Sequence, residues 1–108
     1  MLLYTCPKGT RKEGKKMTTR KFKDHPHANA WIIEHETGEK VLISYMTPVI
    51  EIDREGWLKI TGLYSMTTIK HIGWFMREIG NFTYQLAKQL YEDHKEMNIW
   101  TGEVRDYD

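Results

Sequence analysis

Five histidines, a run of hydroxyl side chains and four tryptophans supply most of the residue types that could do chemistry in this chain. His25 and His27 in "HPH" are spaced so that both could reach one ion, and His35 follows one predicted strand later. Transition-metal sites take three or four ligands, and neither a Cys pair nor HExxH accompanies these histidines. They are expected to be solvated or locally hydrogen-bonded, so no metal or cofactor is assigned. His94 falls between Ala87 and Leu90 on the apolar side of its predicted helix, where a satisfied, partly buried imidazole is expected. The single cysteine, Cys6, can form no internal disulfide and is expected to be inert.

The hydroxyls lie in "YSMTTIKHIGWFMRE", residues 64–78. Nucleophilic catalysis would need Ser65, Thr67 or Thr68 beside a base such as His71, yet no GxSxG elbow is present. Ser and Thr just before an apolar periodic run suit helix initiation, because their oxygens accept bonds from the first free amides. Gly-rich phosphate loops are missing as well. The reading is therefore non-catalytic.

Lys70, His71, Trp74 and Arg77 are left on the side of this helix away from Ile69, Ile72 and Met76. They are the candidate partner-binding residues. An aromatic between cations can stack on a base and hold phosphates, and Trp beside Arg is also the composition of a protein-interface hot spot.

Elements that would carry these residues can be read from periodicity. "ANAWIIEH" alternates and predicts a strand, "ETGE" a turn, "KVLISYMTPVIEI" a long extended run, "DREG" a turn and "WLKIT" a further strand. Pro48 inside the long run cannot donate to a ladder and marks an edge, a bulge or a break. At 100° per residue, Ile69, Ile72, Met76 and Ile79 share one face of a helix over 67–79. Gly80 is expected to end that helix in the left-handed region, with Asn81 capping a second that runs through Met97. The fold class expected is α+β, a three-stranded antiparallel meander followed by two helices packed on one face, in the order β-β-β-α-α. The last residues, "NIWTGEVRDYD", are expected to form a loop or short extension.

Charge divides the chain unevenly. Residues 1–24 hold eight Lys/Arg against Glu13 and Asp24, net +6, while the other 84 residues hold eight against thirteen, net −5. Residues 1–24 are expected as a basic disordered tail and residues 25–108 as one small domain. "KEGKKM" back-translates to a purine-rich stretch before Met17 that resembles a bacterial ribosome-binding sequence. Translation from Met17 is therefore expected, which would remove residues 1–16. The opening residues do not have the order of a secretory signal, and no apolar run reaches the roughly 20 residues of a membrane span.

"LISYMTPVIEID" and "LYSMTTIKHIGWFMRE" resemble a group of small bacteriophage-encoded proteins that share a SYxTxV strand and a YSxTTxKHI helix start. The matching positions are Ser44, Tyr45, Thr47, Val49, Tyr64, Ser65, Thr67, Thr68, Lys70, His71 and Ile72. The resemblance covers about the middle half of the chain and brings no known activity with it. It implies a phage accessory protein in the cytoplasm of a bacterial host, not an enzyme, that binds and modulates a host protein. Inhibition of a CRISPR effector or another defence system fits that expectation. The alternative is a nucleic-acid binder that uses the basic tail and the Lys70/Trp74/Arg77 face.

Overall fold

The computed structural model describes residues 17–106, which form one seven-stranded antiparallel sheet with two helices against one face. The strands are β1 (Met17–Arg20), β2 (Ala30–His35), β3 (Lys40–Ser44), β4 (Thr47–Ile52), β5 (Trp57–Ile60), β6 (Lys95–Asn98) and β7 (Val104–Asp106). Helices α1 (Met66–Gly80) and α2 (Tyr84–Glu92) are inserted between β5 and β6. Strand order in space follows strand order in the chain.

The α+β class stands, but the three-stranded meander is corrected to seven strands, for three separate reasons. First, the run 40–52 folds back on itself at Tyr45–Met46, where neither residue is a usual turn former, to give β3 and β4. Second, residues 17–24, expected within the tail, form β1 and a turn that buries Phe22. Third, Lys95–Asn98 leaves the helix and pairs with the free edge of β5, joining Leu58 to Met97 and Trp57 to Asn98, and Val104–Asp106, expected within a loop or short extension, adds β7 to β6. Side chains that suit a helix yield there to backbone pairing. Cys6 and the segment 1–16, with the translation start expected after it, lie outside the described residues.

Alternation along the strands builds the core. Ala30, Ile32, Leu42, Ile50, Ile52, Leu58, Ile60 and Met97 face the helices and meet Ile72, Phe75, Met76, Ala87 and Leu90. Burying each large apolar side chain contributes about 1.5–3 kcal/mol. Pro48 sits at a bulge: the register shifts so that Leu42 opposes Ile50 while Ile43 opposes Pro48. Val49 is the extra residue, and the kink lets consecutive Val49 and Ile50 both be buried. On the other sheet face, Lys21 lies over the Trp31 ring and Arg105 over the Trp57 ring.

Both ends of α1 and the start of α2 differ from the sequence expectation by one or two residues, while α2 stops at Glu92, five residues short of Met97. Ser65 caps α1, its hydroxyl accepting from the Thr68 amide. Gly80 stays helical, and Asn81 takes the left-handed position at φ 63°. Thr83, rather than Asn81, caps α2 by accepting from the Leu86 amide. His94, expected on the apolar face of a longer helix, follows the α2 C-cap with φ 54° and is exposed. Arg20 ties β1 to α1 by pairing with both Glu34 and Glu78.

Candidate functional site

The two patterned motifs meet at one end of the sheet. Ser44, the last residue of β3, is 2% exposed and bonds Thr68 Oγ1 at 3.0 Å and His71 Nδ1 at 2.8 Å. The Ser65 hydroxyl donates to Thr68 Oγ1 at 3.3 Å. The Thr68–Ser44 and Ser44–His71 bonds continue from it, so four side chains form one hydrogen-bonded row. Burial, then the positive charges of His25 and Lys70, hold the His71 pKa below the ordinary 6.5. A Ser beside a His suggests a nucleophile and its base. Here both are buried, and the chain of hydroxyls supplies no carboxylate to orient the imidazole. The arrangement locks the β3–β4 turn onto α1.

His71 is thus corrected from an outward residue to a core residue, 1% exposed. Trp74 is half-buried. Its indole stacks on the His25 ring with centroids 3.5 Å apart and planes 6° apart, while Phe22 meets it edge-on at 5.6 Å. Lys70 and Arg77 remain exposed, as the helical projection has them. His25, read from sequence as a solvated or locally hydrogen-bonded residue, is the aromatic partner of Trp74. Among the described residues no three His, Cys, Asp or Glu groups come together to hold a metal ion.

Trp74 and Arg77 line depressions on both sides of them. One, of about 170 Å³, also takes in Phe22, Lys23, Asp24, His25 and Glu78. The other, of about 480 Å³, runs between α1 and the start of α2 past Lys70, Phe82, Tyr84 and Gln85, and no carboxylate lines it. Among the described residues, Lys21, Lys23, Arg54, Lys70 and Arg77 have no acidic partner within salt-bridge distance, and three of these five line the depressions beside Trp74. Arg20, Lys40, Lys88, Lys95 and Arg105 are all paired with carboxylates.

Sequence periodicity gives no sign of a second surface at the same end. Tyr45 donates its amide to Asn29 O at 2.8 Å, and Thr61 donates its hydroxyl to Pro48 O at 2.8 Å. These bonds draw the β1–β2 loop, the β3–β4 turn and the β5–α1 link together. Met46 and Met66 stand 88% and 77% exposed there, with Tyr45 and Tyr64 also exposed. Tyr45 adopts φ 60° at the first position of a two-residue hairpin turn, a place glycine usually fills, with its ring 5.8 Å from that of His71. At the opposite end the turns hold Glu36, Glu39, Asp53, Glu55 and Glu103 against Arg54.

A family model described as "Family of unknown function (DUF8033)" matches residues 13–95, which takes in β1 through α2 and both motifs. No curated protein and no solved structure matches the chain.

Proposed function

We propose, for a chain that belongs to this family of unknown function (DUF8033), that it works as a non-enzymatic binder of another protein. Its contact surface is the end that carries Tyr45, Met46, Tyr64 and Met66. The observation that supports this most is the exposure of Met46 and Met66 beside two exposed tyrosines. A small domain leaves that much apolar side chain in water where a partner covers it, and Tyr and Met are enriched in interface cores. Tyr45 adds a second argument. A bulky residue kept at positive φ costs about 1–3 kcal/mol and tends to persist where function needs it.

The complementary surface of the partner is therefore apolar. The resemblance to bacteriophage-encoded proteins supports a bacterial host protein as the partner, with a CRISPR effector or another defence protein among the candidates. The host cytoplasm is the compartment that this reading requires.

The test compares two baits in a bacterial lysate, the native chain and the Met46→Ser/Met66→Ser double variant, followed by reconstitution with the purified captured protein. The expected outcome is one host protein that binds the native chain and is weakened at least about tenfold by the double variant. If no protein distinguishes the two baits, the reading fails.

A further inference from the structure

We propose that the groove between α1 and α2, lined by Lys70, Trp74, Arg77, Phe82 and Tyr84, is a binding site for single-stranded nucleic acid. The site is separate from the Tyr45/Met46/Tyr64/Met66 surface and does not depend on what covers that surface.

Lys70, Trp74 and Arg77 follow one another at spacings of four and three residues, so they form a stripe along one side of α1. Lys70 and Arg77 lie about 10 Å apart along the helix axis. That separation puts a cation on either side of the indole. Trp74 is held by His25 and Phe22, and it lines this groove as well as the smaller depression on its other side. Phe82 and Tyr84 bring two more rings to the same depression.

Three aromatic side chains between two unpaired cations form the stacking platform and backbone clamp that unpaired bases use, since every base has a π-face and every linkage a charge. A duplex keeps its bases stacked on each other and could use only the cations. An acidic peptide would likewise answer the cations and leave the rings idle. Within the groove the electrostatics agree, because no carboxylate lines it; Asp24 and Glu78 line the smaller depression on the other side of Trp74.

The experiment is fluorescence anisotropy of the full chain with a fluorescein-labelled 15-mer oligothymidylate across a salt series. The expected result is binding whose log affinity falls linearly with log salt. Lys70→Glu/Arg77→Glu is expected to weaken binding at least about tenfold, and Lys70→Ala/Arg77→Ala to reduce the salt slope by about 1.4, or about 0.7 for each phosphate no longer neutralised. Both pairs change exposed side chains, so the fold is retained, and Arg54→Glu at the acidic end leaves binding unchanged. Trp74→Phe keeps a ring in place and is expected to lose only part of the affinity. Three results would overturn the proposal: no binding at low salt, binding that the Lys70/Arg77 pair does not alter, or displacement by polyglutamate at a lower charge concentration than by unlabelled oligothymidylate. The last would assign the groove to an acidic peptide.

Discussion

Ser44 holds two partners from inside the core, and its removal strands one of them. Ser44→Ala leaves His71 Nδ1 without its bond in a dry place and Thr68 with the Ser65 hydroxyl alone, and the expected cost is about 1–3 kcal/mol in urea denaturation. His71 makes that junction sensitive to pH. Its folded-state pKa lies below the unfolded 6.5, so the unfolded chain takes up the proton first as acid is added. Its contribution to stability is complete above 6.5, declines as pH falls below that value, and is gone once pH has passed the folded-state pKa. His71→Asn keeps an acceptor for Ser44 without titrating. It is expected to flatten the fall in stability below pH 6.5, followed by denaturation midpoints across a pH series. Tyr45→Gly separates binding from folding. It relieves the positive φ and removes the ring from beside His71, so stability is expected to stay within about 1 kcal/mol while partner binding weakens. Ser65 is legible as a cap because capping is local. The burial of His71 is not, since its partner Ser44 lies 27 residues away in the chain and a helical projection carries no information about what a loop will bring.

Among the elements, α1 is the most legible, because its apolar period spans four turns. Its end differs from the expectation by one residue: Asn81, not Gly80, is left-handed. Asn is the residue that tolerates this region best after Gly. Asn81→Gly is therefore expected to be nearly neutral, and Asn81→Ala to cost about 1–2 kcal/mol, both read from urea midpoints. The β3–β4 pair is hidden by Tyr45–Met46, which carries none of the Gly, Asn or Asp that mark a tight hairpin. Pro48 does announce its irregularity, and the bulge beside it is the form that irregularity takes. In β6 the sequence "KEMN" suits a helix as well as a strand, and only the open edge of β5 decides between them. Of the candidate stripe, Lys70, Trp74 and Arg77 can be placed together from spacing alone. His25 and Phe22, which hold Trp74 in place, cannot, because Phe22 falls in the segment that reads as a charged tail and His25 in the loop directly after it.

At the scale of the whole molecule, the basic N-terminal composition conceals a folded segment. Phe22 is 2% exposed and touches Trp74, so Phe22→Ala is expected to cost about 3–5 kcal/mol. A residue in a disordered tail would cost nothing, and urea denaturation distinguishes the two. Each strand pairs with the next one in the chain, and this has a consequence for how the molecule assembles in time. Contacts between sequence neighbours form early and with little loss of chain entropy. The first five strands can therefore zip together from one end as the polypeptide emerges. The step from β5 to β6 differs, because the whole helical insertion lies between them and must dock before the two edges can meet. Until then β5 is an open edge, and the late closure of that edge is the slow event to expect in the kinetics of folding.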